Sequence, residues 1–236
     1  MDVRVILLNA VHLLKTEGVL PTVRSLLQRA QMRWNEWRFR IRTDGYIELS
    51  EFGVYNDECR SYSPTSYADF STIMRALDID PRQHVFLDYG AGMGRAMILA
   101  ATYPFKRVLG VDIVPDLTAI ATNNFARCRR QLQCRDIGIT TADATLYQIP
   151  HDVTVFYIAN PFNGEVLAAV LRNIRDFAGA APRPLLVVCN VPPRSAFENQ
   201  IRMHPWLELQ RDLPLQNARR CLVFRAPGAR VPAAAR

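Results

Sequence analysis

The residues best suited to bind a ligand lie in the segment DYGAGMGR, residues 88–95, which follows the apolar run VFL. The apolar run predicts a buried strand, and the residues after the glycines predict a helix. Gly90, Gly92 and Gly94 let the backbone turn sharply and approach a ligand closely, because they carry no Cβ atom. A turn of this kind is typical of nucleotide binding, and here it is preceded by the acid Asp88.

The spacing of the glycines leaves more than one ligand class open. The dinucleotide fingerprint G-x-G-x-x-G requires its third glycine where this sequence has Arg95. A carboxylate at Asp88 is poorly placed beside a pyrophosphate but acceptable beside a cationic ligand that has no phosphate. An NAD(P)-dependent oxidoreductase is therefore disfavoured and stays an alternative.

Acidic residues end the next two predicted strands. Asp112 closes the strand at 107–112, where a carboxylate can accept hydrogen bonds from both hydroxyls of a ribose, or can cap the following helix. Asp143 follows the strand at 136–141, where it can accept from the exocyclic amine of adenine or cap a loop. Both readings stay open at each position.

The fourth predicted strand ends in Asn160-Pro161-Phe162. The amide oxygen of Asn160 and the carbonyl before the proline can both accept from an amine, and the ring of Phe162 can stack on it. Because ligands bind at the carboxyl ends of strands in open α/β sheets, this is a candidate catalytic segment. The alternative is a simple strand-to-helix turn, which Asn-Pro also favours.

As a set, these strand-end residues resemble the motifs of the class I S-adenosylmethionine (SAM)-dependent methyltransferases over about residues 62–225. The resemblance implies a Rossmann-like methyltransferase sheet that is mostly parallel with an antiparallel last strand, and SAM as the cofactor. It also implies the cofactor-binding residues, which are Asp88, Gly90, Gly92, Gly94, Asp112, Asp143, Ala144 and Asn160.

Two further segments refine the resemblance. Tyr62-Ser63-Pro64-Thr65 is similar to segments of the non-SET, seven-strand protein-lysine methyltransferases, and we expect Tyr62 and Thr65 to close over SAM. Asn160-Pro161-Phe162 resembles the N/D-P-P-Y/F signature of enzymes that methylate nitrogen, but Phe162 replaces the second proline and Asn163 the aromatic residue. The resemblance leaves the acceptor open among protein, RNA and small molecules.

Alternation of strands and helices predicts an α/β fold with helices on both faces of the sheet. We expect helices at 2–17, 21–42, 95–103, 115–131, 164–178 and 195–202, a further helix through Phe70, Ile73, Met74 and Leu77, and strands at 84–89, 107–112, 136–141, 153–159, 185–191, 206–213 and 219–225. A short strand is also expected at 46–49. The last two strands are joined by a turn too short for a parallel crossover, which predicts an antiparallel hairpin at the sheet edge. The expected organisation is an N-terminal helical extension (1–61), a SAM-binding domain (62–226) and a disordered tail (227–236).

The N-terminal extension concentrates positive charge. The chain carries a formal charge of +7, and the helix from Arg24 to Arg42 holds many arginines, with Trp34, Trp37 and Phe39 between them. Such a helix can bind nucleic acid or an anionic membrane surface, or it can lay its aromatic residues on the main domain, which is the interpretation we favour. A non-catalytic SAM-fold module that binds nucleic acid is therefore the main alternative function.

Composition favours a cytoplasmic protein without a structural metal. No apolar run is long enough to span a membrane, and the apolar start at 3–15 is interrupted by Asn9 and His12 and lacks a signal-peptide cleavage site. Five cysteines without C-x-x-C spacing predict reduced thiols and no zinc site. Cys189 and Cys221 lie in apolar runs and are expected in the core.

Overall fold

The computed structural model describes residues 19–180 and 183–228. Within these residues the strands are β1 (Val85–Tyr89), β2 (Arg107–Asp112), β3 (Ile137–Thr141), β4 (Val155–Ile158), β5 (Leu185–Val191), β6 (Glu208–Pro214) and β7 (Arg220–Ala226). The helices are α1 (Val19–Phe39), α2 (Tyr67–Leu77), α3 (Arg95–Ala101), α4 (Pro115–Cys128), α5 (Gly164–Ala180) and α6 (Ala196–Arg202). None of the described helices combines the length and the apolar composition that a membrane crossing requires.

The seven strands form one sheet in the order β3-β2-β1-β4-β5-β7-β6. The pairs from β3 to β5 are parallel, and β7 runs antiparallel to both β5 and β6. The predicted terminal hairpin is confirmed, because five residues between β6 and β7 cannot support a parallel crossover. The predicted sheet, which is mostly parallel with an antiparallel last strand, is likewise confirmed.

Both faces of the sheet are buried, as the apolar strand sequences require. Phe86 of β1 packs with α2 and α3 on one face, whereas Val85, Leu87 and Tyr89 pack with α5 and α6 on the other. This alternation points the side chain of Asp88 to the same face as Phe86. The acid of β1 therefore lies beneath α2 and α3.

The N-terminal segment differs in detail from the sequence prediction. The α1 helix ends at Phe39 rather than at 42, because Arg40 adopts a left-handed conformation (φ 57°) and the N–H groups of Arg40 and Ile41 close the last turn. The strand predicted at 46–49 is wrong: only Ile47 forms a β-bridge, to Tyr62, and a 3₁₀ turn occupies Leu49–Phe52. The helix predicted at 2–17 and the tail from 229 lie outside the described residues.

Candidate functional site

A cavity of about 440 Å³ opens at the carboxyl ends of the parallel strands. Its volume is within the range of small-molecule sites. The ends of β1 to β5 contribute one wall, and the segment 59–66 from the N-terminal side contributes another. All nine predicted site residues other than the glycines line it, namely Tyr62, Thr65, Asp88, Asp112, Asp143, Ala144, Asn160, Pro161 and Phe162.

Asp88 supplies a buried carboxylate to this cavity. Its exposed fraction is 2%, and within the described residues its carboxylate forms no hydrogen bond or ion pair. Burial, with the nearby charge of Asp112, raises the pKa of Asp88 well above its ordinary value. An ionised carboxylate in such a place is costly unless a cation or a donor faces it, so the site suits a ligand that carries an amine.

The glycine turn holds its shape through contacts that a side chain would obstruct. Gly90 and Gly92 have φ values of 74° and 52°. A Cβ atom on Gly90 would lie 2.3 Å from Cβ of Pro161, and one on Gly92 would lie 2.4 Å from the ring of Tyr62. Gly90 lines the cavity, whereas Gly92 and Gly94 do not, and Gly94 lies against Phe125 at the start of α3.

Asp112 joins the glycine turn to the end of β2. Its Oδ2 accepts from the Gly92 N–H (2.7 Å) and its Oδ1 from the Val114 N–H (3.0 Å). Each carboxylate oxygen can accept a further bond, because an ionised carboxylate offers about four acceptor positions. Burial raises the pKa of Asp112 although these N–H groups oppose the shift. Asp112 can therefore hold the turn and bind a pair of hydroxyls at once.

Asp143 and Ala144 lie at the β3 end of the cavity. Oδ1 of Asp143 accepts from the backbone N–H (2.8 Å) and the hydroxyl (2.7 Å) of Thr145, which is the loop-capping role. Its other oxygen carries no hydrogen bond within the described residues. The carboxylate thus caps the loop and still offers an acceptor to the cavity.

Asn160, Pro161 and Phe162 form a rigid corner after β4. Asn160 adopts a left-handed conformation (φ 60°), which asparagine tolerates better than most residues, and its side chain makes no hydrogen bond within the described residues. Pro161 packs on Gly90, and Phe162 is buried in the core of the α5 face. The corner therefore presents the Asn160 amide, with Phe162 as part of the wall.

The N-terminal segment fixes that corner and closes the cavity. Cys59 pairs with Phe162 in a β-bridge, and the Arg60 N–H donates to the Pro161 carbonyl (2.8 Å). The Tyr62 hydroxyl donates to the Thr43 carbonyl (2.7 Å), which holds its ring over Gly92. Residues 40–62 thus position both the glycine turn and the strand-end corner.

Arg95 has a structural role that its sequence context did not reveal. Its side chain is only 3% exposed, lines the cavity and forms an ion pair with Glu36 of α1 (3.2 Å). Its Nε also donates to the Thr43 hydroxyl (2.7 Å), which in turn donates to Glu36 (2.8 Å). This cluster ties α1 to the start of α3.

A chain of polar side chains on the far side of the cavity was not predicted from the sequence. The hydroxyls of Thr65 and Tyr157 are 3.0 Å apart, and Asn190 Nδ2 donates to Tyr157 (3.4 Å). Arg219 donates from Nε to Asn190 Oδ1 (2.7 Å) and from Nη2 to its carbonyl (3.0 Å). The available signal was Asn190 itself, the one polar side chain in the apolar run LLVVCNV.

All five thiols are free. Cys189 and Cys221 are fully buried in β5 and β7, as predicted. Cys59 differs because it lines the cavity, where burial and the charges of Asp143, Glu58 and Asp112 raise the pKa of its thiol.

A second, basic cleft lies on the outside of α1. It is lined by Arg38 and Arg40 together with Arg127 of α4 and Arg130 of the 3₁₀ turn that follows α4. Phe39 is buried as the packing interpretation predicts, but Trp34 and Trp37 are 54% and 76% exposed. The favoured interpretation of this helix therefore holds for only one of its three aromatic residues.

Comparison with known proteins supports the fold and not a closer relationship. No protein-family model matches the sequence, and no curated protein matches it either. Among solved structures, an RNA methyltransferase from Salinibacter ruber in complex with S-adenosyl-L-homocysteine is similar, with a TM-score of 0.56 and 19% identity over 74% of this chain and 100% of that one. Magnesium protoporphyrin IX methyltransferase from Synechocystis with bound SAM has a TM-score of 0.50 and 15% identity over 67% of this chain and 76% of that one. TrmN from Thermus thermophilus has a TM-score of 0.54 and 16% identity over 69% of this chain and 49% of that one. The chain therefore has the Rossmann-like fold of SAM-dependent methyltransferases.

Proposed function

We propose that this protein is a SAM-dependent methyltransferase whose reaction takes place in the strand-end cavity. The observation that carries the proposal is the series Asp143, Asp112, Asp88 and Asn160, which lines the cavity in the order of strands β3, β2, β1 and β4. In that order, these residues can contact the adenine, the ribose and the amino-acid part of SAM, and then the methyl acceptor. A dinucleotide would instead bring a pyrophosphate towards the buried carboxylate of Asp88, which disfavours the oxidoreductase alternative.

Each acid of the series has a distinct binding role in this proposal. Asp143 accepts from the adenine amine, and Asp112 accepts from the two ribose hydroxyls through its remaining lone pairs. Asp88 is held ionised by the amine of the methionine moiety, because each stabilises the charge of the other. When bound, SAM supplies a methyl group attached to a positively charged sulfur.

Asn160 orients the methyl acceptor. Its free amide oxygen and the adjacent carbonyl accept N–H bonds from an amine and thereby orient the lone pair of its neutral form for attack. Methyl transfer by in-line displacement depends on such positioning and on exclusion of water more than on a dedicated acid or base. A nitrogen acceptor, in a protein or a similar amine, is thus the finer form of the proposal.

Nucleic-acid binding through the basic cleft is a second candidate function. The observation that favours it is the exposure of Trp37, which lines the cleft with four arginines, and of Trp34, whose ring lies against Arg38. Exposed aromatic rings stack on bases, and arginines bind phosphates. This function can accompany methyl transfer or replace it.

One experiment tests both candidates. Purified protein with tritium-labelled SAM is incubated in a cell lysate, and the labelled products are resolved by protease and nuclease digestion. We expect label to enter a macromolecule or a small molecule, and Asn160→Ala to lower the rate by about 100-fold, which is typical of losing a positioning group. The control is Asn163→Ala, the next amide along the chain. If no label is transferred and the protein retains RNA on a filter in a salt-sensitive manner, the proposed enzyme function is wrong and nucleic-acid binding is supported instead.

A further inference from the structure

The cavity contains a cation that the proposed roles do not use. Arg219 lies in the connection between β6 and β7, immediately before β7, and its half-buried side chain lines the cavity. Asn190 of β5 accepts two hydrogen bonds from its guanidinium. Asn190 is in turn fixed by the Tyr157 hydroxyl, so the guanidinium is held in place by neutral groups.

The charge of Arg219 has no ionic partner within 4.0 Å in the described part of the chain. The neighbouring Arg220, by contrast, is paired with Asp212 (2.5 Å) on the outer surface. A guanidinium has five N–H donors, and the bonds to Asn190 use two of them. Burial lowers the pKa of Arg219, although Tyr157 and the charge of Asp69 oppose the shift. Asp69 is itself engaged by the backbone N–H of Gln216 (2.9 Å).

The order of the strands separates this cation from the nucleoside-binding acids. Asp112 ends β2 and Asp143 follows β3 on one side of β1, whereas Asn190 lies in β5 and Arg219 immediately precedes β7 on the other side. Asn160, at the end of β4, lies between the two groups. A molecule that contacts both Asn160 and Arg219 therefore lies on the side of the cavity away from Asp112 and Asp143, where the methyl acceptor is expected.

We propose that Arg219 binds a carboxylate of the methyl acceptor. The substrate is then a small molecule that carries one carboxylate and a nucleophilic group that Asn160 orients. The inference rests on the proposed methyltransferase function. A carboxylate fits better than a phosphate, because a single guanidinium compensates one negative charge better than two. The free edge of the planar guanidinium also matches a carboxylate in geometry.

Calorimetry with benzoate as the probe tests the anion site. Benzoate is titrated into the protein saturated with S-adenosylhomocysteine, and benzamide and phenyl phosphate serve as the neutral and doubly charged comparisons. We expect benzoate to bind more tightly than either, and Arg219→Gln to weaken its binding by about tenfold or more. Arg220→Gln is the matched control and should bind benzoate as the wild type does. Arg219→Lys, which keeps the charge but not the fork of donors, should be intermediate.

Several outcomes would overturn the proposal. Equal binding of benzoate by Arg219→Gln and wild type would show that Arg219 does not form the anion site. Tighter binding of phenyl phosphate than of benzoate would show that the site does not select a carboxylate. A tenfold loss of S-adenosylhomocysteine affinity in Arg219→Gln would assign the cation to the cofactor instead. If no variant binds S-adenosylhomocysteine, the methyltransferase proposal fails, and the benzoate titration on the free protein still decides whether Arg219 binds a carboxylate.

Discussion

Replacing Asp88 by asparagine is expected to weaken SAM binding and, at the same time, to stabilise the free protein. The carboxylate is buried and unpaired within the described residues, so its ionisation costs free energy in the free protein. Asparagine removes that cost and keeps the shape. We expect the free energy of unfolding to rise by about 1 kcal/mol, and the melting temperature by about 2–4 °C. SAM affinity should fall by about tenfold or more, because the amine loses its charged partner.

The pH dependence of the stability difference shows whether the ionisation of Asp88 causes it. The pKa of Asp88 is raised in the folded protein by burial and by the charge of Asp112, so the folded state retains a proton that the unfolded state releases first. Stability of the wild type therefore decreases as the pH rises from the ordinary Asp pKa, about 4, towards the raised pKa. The gain in stability of Asp88→Asn over wild type should grow over that window, as measured by urea unfolding. The exposed Asp57→Asn serves as the control, and unchanged SAM affinity or lower stability in Asp88→Asn would contradict the assignment.

Neutralising Glu36 is expected to have the largest effect on stability. Glu36→Gln leaves the guanidinium of Arg95, which is 3% exposed, without its carboxylate partner. Removing one member of a buried ion pair costs about 3 kcal/mol, which corresponds to a melting temperature lower by about 6–12 °C for a chain of this size. The midpoint of urea unfolding measures the change if the slope of the transition is unaltered.

Glu198→Gln is a closely matched control for this variant. The side chain of Glu198 is 15% exposed and that of Glu36 17%, but the partner of Glu198, Arg202, is 34% exposed and also pairs with Asp212. We expect a cost below about 1 kcal/mol there. Similar costs for both variants would mean that the Glu36–Arg95 pair does not stabilise the junction between α1 and the glycine turn.

The strand-end residues could be predicted because their positions follow from local patterns. Asp88 and Asp112 each end an apolar run, and parallel strands bring such ends to one edge of the sheet. The terminal hairpin was predictable for a similar reason, since the length of a connection limits its geometry. These features depend on neighbouring residues in the chain.

The partners of Arg95 and Arg219 could not be predicted in this way. Glu36 lies 59 residues before Arg95, and Asn190 lies 29 residues before Arg219. Nothing in either local sequence identifies these partners, because tertiary packing selects them. Tyr157 likewise reads as an apolar strand residue, and only its contacts with Thr65 and Asn190 reveal a polar role. The sequence allowed Asp112 either to cap the backbone or to bind a ribose. In the structure its carboxylate holds the turn and still has acceptor positions for a ligand.

Calorimetric titration of SAM into wild type, Asp112→Ala and Asp116→Ala tests the central claim most directly. Asp116 is an exposed acid in the first turn of α4 and does not line the cavity, so its variant is the matched control. We predict one SAM bound per chain by wild type and Asp116→Ala, and an affinity lower by about tenfold or more in Asp112→Ala, since ribose hydroxyls lose a charged acceptor. Circular dichroism of each variant checks that it is folded. No binding by the wild type, or equal binding by a folded Asp112→Ala, would contradict the proposed SAM site.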